Sequence, residues 1–361
     1  MKNNEAIQLG PRRYIQGRGV LDFLGKEAAA LGKHALILAG RDVYPKVQKK
    51  IEASLLANGL SWEVFLFQGG CCPANYEAAA SRGRASCCGL VIGIGGGRAL
   101  DTAKIAADKM GVPVITVLTS AATCAATALL AVHYSNEGMF LGNYWPAYAP
   151  ALCLTDLDVL SDNCPSRLNR AGIVDAMAKY PEIRYNILYT DNWQKNIMSH
   201  VAVQTAETTF RLLLEHGPSA MEKAERGEAD GEVEDVIAAV LSITGFISCL
   251  AYGGKQAAVS HGLYSYFCNH VQELTGKFLH GELVGASLCY QMALDGRPER
   301  EVEELKGFLR EMGCPASLKE LGFMPDESER RAMRLHLQKI LPAESEADIR
   351  RLEEWEPLLF G

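Results

Sequence analysis

The stretch GLVIGIGGG at residues 89–97 runs apolar on consecutive positions and then ends in three adjacent glycines. A strand with no polar alternation must be covered on both faces, which is the situation of a parallel sheet flanked by crossover helices. The same kind of run occurs at HALILAG (34–40), WEVFLFQGG (62–70) and PVITVLT (113–119). Helix-length segments lie between them, through the 40s and 50s, through the 70s and 80s, and from Arg98 onward. The resulting β-α-β-α-β-α-β order predicts an α/β domain with a parallel, Rossmann-like sheet, whose ligands bind at the carboxyl ends of the strands.

Beyond residue 160 the strands give way to apolar-periodic stretches at 196–215, 232–251, 255–274 and 281–294, so the second half is expected to be helical. A chain of 361 residues is long for a single core. The division expected is an α/β domain over 1–160 and a helical domain over 161–361, with the Asp-, Asn-, Ser- and Pro-punctuated segment TDLDVLSDNCPSRLNRAG as the hinge. The acidic stretch EKAERGEADGEVED at 222–235 reads as a solvated loop or helix end. A net charge of −7 without a basic block excludes a dedicated nucleic-acid binder. The polar opening MKNNEAIQLGPRRYIQG reads as neither signal peptide nor membrane anchor, which sets the expectation of a cytoplasmic protein with no membrane partner. Eleven cysteines are an odd number, and the pairs Cys71/Cys72 and Cys87/Cys88 lack C-x₂-C spacing, so reduced thiols are expected rather than disulfides or a zinc cluster.

A strand that ends in glycines and opens a helix leaves unpaired backbone N–H groups at the positive end of the helix dipole, where a phosphate can accept them. Glycine removes the side chains that would block that approach. The match to G-x-G-x-x-G is partial, because Arg98 stands in place of the last glycine, and a tight turn without a ligand is the alternative.

GIGGGRALDTAK at 93–104 resembles the G-x-G-G-G-x-x-x-D-x-x-K signature of the iron-containing alcohol dehydrogenase and glycerol dehydrogenase superfamily. The resemblance extends through PRRYIQGRG, CCPANYEAAA, TSAATCAATALLAVHY, RAGIVDAMAKY and FLHGELVGAS, in that order, and the look is closest to the hydroxycarboxylate dehydrogenase branch. It implies a dehydroquinate synthase-like architecture, with an α/β nucleotide domain followed by an all-α domain, and a homo-oligomer. It also implies that Gly95, Gly96 and Gly97 cradle the pyrophosphate of NAD or NADP, with Asp101 and Lys104 holding loop and helix. Taken alone, Asp101 and Lys104 are equally an i,i+3 surface pair. By the same resemblance Thr119 and Thr123 lie near adenosine and pyrophosphate, and Leu130, Val132 and Tyr134 around the nicotinamide. At the end of the first apolar run Gly40 and Arg41 stand where NAD-preferring relatives often carry an aspartate. Arg41 therefore leans toward NADP(H), Asp42 toward NAD(H).

The resemblance further implies a divalent zinc or iron ion on Asp175 and His280, which match an R-x-G-x-x-D-A and an H-G segment. For Asp175 the bland alternative is a pair with Lys179 at i+4. A third ligand position aligns with Ala257, which cannot bind a metal. His261, placed one helical turn further on, is then either a substitute third ligand or an acid that protonates the reduced carbonyl without a metal. Cys124 replaces the aspartate with which glycerol dehydrogenases hold substrate hydroxyls, which favours an anionic 2-oxo acid or another ketone over a polyol. Pro181 is expected to kink or stop its helix. The function implied is an NAD(P)H-dependent oxidoreductase acting on a small carbonyl or alcohol substrate. A dehydroquinate-synthase-like lyase and a nucleotide-binding protein that has lost its chemistry stand as alternatives.

Overall fold

The computed structural model describes residues 8–189, 197–250, 256–341 and 356–360. They form two compact units, one made of residues 1–165 and 223–249, the other of 166–222 and 250–361.

The first unit is built on a six-stranded sheet of β1 (Tyr14–Gly17), β2 (His34–Gly40), β3 (Ser61–Phe67), β4 (Leu90–Gly95), β5 (Val114–Leu118) and β8 (Leu152–Asp156), in the order β1-β8-β5-β4-β2-β3. Every neighbouring pair is parallel. Strands β4, β5 and β8 are buried at every position, which is why their sequences show no polar alternation. The crossovers are α1 (Leu24–Ala29), α2 (Tyr44–Ala57), α3 (Pro73–Ala85) and α4 (Gly97–Met110). The antiparallel hairpin of β6 (Ala131–Tyr134) and β7 (Phe140–Tyr144) stands apart from this sheet.

The second unit is helical. Its main elements follow α5 (Leu157–Asn163) of the first unit: α6 (Ser166–Tyr189) and α7 (Ile197–Glu225), then, after α8 (Gly231–Ala238) and α9 (Thr244–Leu250), α10 (Val259–His270), α11 (Gln272–Lys277), α12 (His280–Gly285), α13 (Leu288–Leu294), α14 (Glu299–Glu311), α15 (Glu327–Ile340) and α16 (Pro357–Phe360). Its core gathers Leu263, Phe267, Leu283, Tyr290 and Leu337.

A single cut at residue 160 does not describe this chain. The helical run Gly231–Leu250, apolar and long enough by composition to cross a membrane but two-thirds buried, belongs to the sheet unit as far as Cys249. Gln16 Nε2 donates to the Glu234 carbonyl (2.8 Å) and Thr127 Oγ1 to that of Leu241 (2.5 Å). The acidic 222–235 stretch is a helix end followed by a new start: Asp230 caps α8 through the N–H groups of Glu232 and Val233, and Lys223 pairs with Asp230. Helix α6 runs unbroken through Pro181, so the proline does not stop it. All eleven cysteines are free thiols.

Candidate active site

In the first unit the glycine run is packed against the chain itself. Gly95 ends β4 at φ 143°, a conformation open to glycine, and its carbonyl accepts the N–H of Thr119 (3.1 Å). A Cβ on Gly96 would lie 2.9 Å from Ser120 Oγ, and one on Gly97 3.0 Å from Thr123 Oγ1. The glycines thus let the 119–123 loop close over the start of α4, setting two hydroxyls beside its N-terminal N–H groups. Backbone donors, helix dipole and hydroxyls in one place are the chemistry that takes a diphosphate. Ser120 escaped the sequence reading because a lone serine after a strand carries no signal.

Asp101 and Lys104 are not a surface pair. They bond at 2.9 Å while nearly fully buried. Lys104 Nζ also donates to the carbonyls of Ala128 (3.1 Å) and Leu130, and Asp101 accepts the N–H of Val132 (3.1 Å). The three ammonium hydrogens are spent on protein, so both residues brace the 128–132 segment rather than touch a ligand. Thr119 is buried, whereas Thr123, Cys124, Leu130, Val132 and Tyr134 are half-buried. The Cys124 carbonyl accepts the N–H groups of Thr127 and Ala128 (3.0 Å each). Arg41 and Asp42 are both exposed, just past the carboxyl end of β2.

In the second unit Asp175, His261 and His280 converge. Asp175 Oδ1 lies 3.2 Å from His261 Nε2 and 3.1 Å from His280 Nε2, and the three donor atoms all fall within 4.8 Å of one another. The imidazole rings are 5.3 Å apart, and Tyr264 meets the His280 ring edge-on at 4.2 Å. Asp175 is buried on α6, whereas the histidines keep 18% and 28% of their side chains open.

Local packing sets each of these positions. A Cβ on Gly281 would collide with the carbonyl of Ala171, one turn before Asp175 on the same face of α6, so the H-G dipeptide lets the start of α12 touch α6 there. Glu282 fixes that start. It accepts a forked pair from Arg167 (2.6 and 2.7 Å) and the N–H of Leu279 (2.8 Å). Gly281→Ala is therefore expected to cost about 2–3 kcal/mol by overpacking and to release His280 from Asp175. A lower denaturation midpoint together with lost zinc binding would show it, and a wild-type midpoint would contradict the contact.

Helix α10 begins only at Val259, so Ala257 precedes the helix and does not share a helical face with His261. Asn186 Nδ2 holds the Ala257 carbonyl (3.1 Å), and Gln291 accepts the N–H of Val259 (2.8 Å). Lys179 does not pair with Asp175; its ammonium donates to Gln256 Oε1 (3.1 Å).

The electrostatics belong to a charge-rich pocket. Burial alone would push the Asp175 carboxyl up, but the two imidazoles hold it well below the usual carboxylate range. Burial likewise opposes a charge on His261, yet Glu182 and Asp175 outweigh it and raise that imidazole to about 9, against the Lys179 charge.

Asp175 Oδ1 is buried and accepts no well-formed hydrogen bond, although two ring nitrogens face it. The two spacings from Asp175 Oδ1, 3.1 and 3.2 Å, are in the range that ligands about 2.0–2.1 Å from a shared cation take up. One carboxylate and two imidazoles suit zinc or ferrous iron. The residues fit a divalent ion, and a metal-free site gains no support from them.

Residues 11–157 match the sequence profile of the iron-containing alcohol dehydrogenases. The chain is 31% identical over 320 residues to the glycolaldehyde reductase of Halobacterium salinarum, spanning 88% of this chain and 85% of that protein. It is 32% identical over 327 residues to the glycerol dehydrogenase of Escherichia coli, spanning 89% and 86%. This chain belongs to the iron-containing alcohol dehydrogenase family. The fold agrees: it superposes on the glycerol dehydrogenase of Schizosaccharomyces pombe with a TM-score of 0.79 at 23% identity, over 98% of this chain and 91% of that one. With the probable glycerol dehydrogenase of Sinorhizobium meliloti the TM-score is 0.83 at 25% identity, over 99% and 98%. The family is one of NAD(P)-dependent alcohol and polyol dehydrogenases. These named relatives are polyol and aldehyde enzymes, so they lend no support to the finer placement in the hydroxycarboxylate branch.

Proposed function

We propose that this chain is a metal-assisted, NAD(P)H-dependent reductase of a small carbonyl compound that carries a carboxylate beside the carbonyl, a 2-oxo acid rather than a polyol. The observation that carries it is the convergence of Asp175, His261 and His280 with an ammonium one turn along α6. Lys179 is half-buried, no carboxylate lies within ion-pair distance of it among the described residues, and its charge acts on the His261 ring. A cation left unneutralised beside a metal site is suited to an anionic substituent on the substrate. Cys124 in place of an aspartate supports the same preference, since a carboxylate there would favour hydroxyl donors.

When bound, the divalent ion supplies Lewis acidity at a carbonyl oxygen and the reduced nicotinamide supplies the hydride. Asp175, His261 and His280 would hold the ion. Both nitrogens of His261 are engaged, Nε2 toward Asp175 and Nδ1 with Glu182, which favours a ligand role over proton donation to substrate. The Gly96–Gly97 turn with Ser120 and Thr123 would receive the diphosphate, and exposed Arg41 favours the 2′-phosphate of NADPH.

The names of the relatives favour a second reading, a neutral hydroxyaldehyde or polyol. Glyoxylate and glycolaldehyde are both two-carbon aldehydes and differ in the charged group. With zinc-loaded protein and NADPH, kcat/KM is expected to favour glyoxylate at least tenfold. Lys179→Met should remove about 30-fold from glyoxylate, mostly in KM, and leave glycolaldehyde within twofold, as fits one charge-assisted hydrogen bond. A wild-type preference for glycolaldehyde that Lys179→Met leaves alone would establish the neutral reading instead.

A further inference from the structure

Glu182 follows Asp175 by seven residues, two turns along the same face of α6, and its side chain is fully buried. Among the described residues its hydrogen bonds all go to the beginning of α10. Oε1 accepts the N–H of Ala258, the helix cap, at 2.9 Å and that of His261, the third helical residue, at 2.8 Å; Oε2 takes Nδ1 of the His261 ring. One carboxylate therefore grips both the backbone and the ring of the same histidine, and the ring cannot turn without breaking the bond.

We propose that Glu182 is the positioning residue that sets the tautomer and aim of His261: by accepting the proton on Nδ1 it leaves the Nε2 lone pair directed at Asp175 Oδ1 and His280 Nε2. The inference rests on the metal-site reading above. A histidine offers a cation one nitrogen, and the partner of the other nitrogen decides which. Among the described residues His280 has no carboxylate partner besides Asp175, and its ring is packed by Tyr264 and His261. The position of His261 three residues into α10 thus becomes useful only with an acceptor below it, and Glu182 supplies that acceptor from another helix.

A purely structural role, the capping of α10, is separable from this one. Glu182→Gln keeps the volume and an oxygen that accepts both backbone N–H groups, but turns an amide NH₂ toward Nδ1. That favours the opposite tautomer, with a hydrogen on Nε2 where the cation would bind. Zinc affinity of the metal-stripped full chain, measured by chelator competition, is expected to fall 10- to 100-fold in Glu182→Gln, while the metal-free melting temperature stays close to wild type. In zinc-loaded wild type, ¹⁵N shifts of His261 should show Nδ1 protonated and Nε2 metal-bound. Affinity within twofold of wild type in Glu182→Gln, or coordination of zinc through Nδ1, would overturn the proposal. Should that variant fail to fold, the wild-type spectrum decides alone. If wild type binds no zinc, the functional reading is what fails. The tautomer of the neutral ring in the metal-free protein then decides for Glu182, Nδ1–H supporting it and Nε2–H refuting it.

Discussion

Alanine at position 261 is expected to lower kcat/KM by about a thousandfold or more and to leave the protein unable to retain zinc through gel filtration. Removing His261 reduces the donor set to Asp175 and His280, one short of the three protein ligands a catalytic zinc site ordinarily keeps. Lewis-acid stabilisation of developing charge is worth several kcal/mol, and about 4 kcal/mol is a factor of roughly 10³ in rate. The loss should appear in kcat as well as KM, because the interaction strengthens as charge develops on the reacting oxygen. Asp175 and Glu182 would also lose the imidazole between them, leaving two buried carboxylates with fewer partners, so a lower melting temperature should accompany the loss. A His261→Ala enzyme that keeps more than a tenth of wild-type activity in zinc-saturated buffer would remove His261 from the ligand set.

The sheet was legible in the chain because its central strands are buried on both faces and leave a continuous apolar trace. Strands β2, β3, β4 and β5 coincide with the four apolar runs. Strands β1 and β8, four and five residues long, gave no such trace, YIQG being half-buried and LCLTD merging into the polar segment that follows. The return of residues 223–249 to the first unit was invisible, since a helix packed on a sheet and one packed on other helices need the same apolar periodicity.

At the site, Asp175 and His280 were legible through short motifs, but Glu182 was not. A carboxylate in a helix reads as solvated, and only tertiary packing against the start of α10 buries it. The i,i+7 spacing of Asp175 and Glu182, which sets both carboxylates on one face of the helix, was the available signal. Ala257 misled for a related reason: comparing it with His261 by helical turns assumes a helix that begins two residues later.

The balance of charge around His261 fixes how metal binding must respond to pH. In the metal-free protein its imidazole is raised to about 9 from 6.5, so near neutrality it is protonated, whereas Asp175 is held below 3.8 and is already ionised. A cation must displace the His261 proton, and Asp175 has none to give up. Zinc affinity is therefore expected to rise about tenfold per pH unit on account of His261, roughly 100-fold between pH 6.5 and 8.5, and to level off above about 9. Metal-free stability should move the opposite way. A raised imidazole contributes stability that is complete below 6.5 and lost as pH climbs through about 9; a depressed carboxyl contributes above 3.8 and loses it as pH falls toward the lowered value. In chelator, the melting temperature should thus be highest between these limits and decline toward pH 9, while zinc-loaded protein should not show that decline because its His261 carries no displaceable proton. Zinc titrations across this range and calorimetry with and without chelator measure both trends, and an affinity that is flat or falling with pH would mean that the His261 proton is not what the metal replaces.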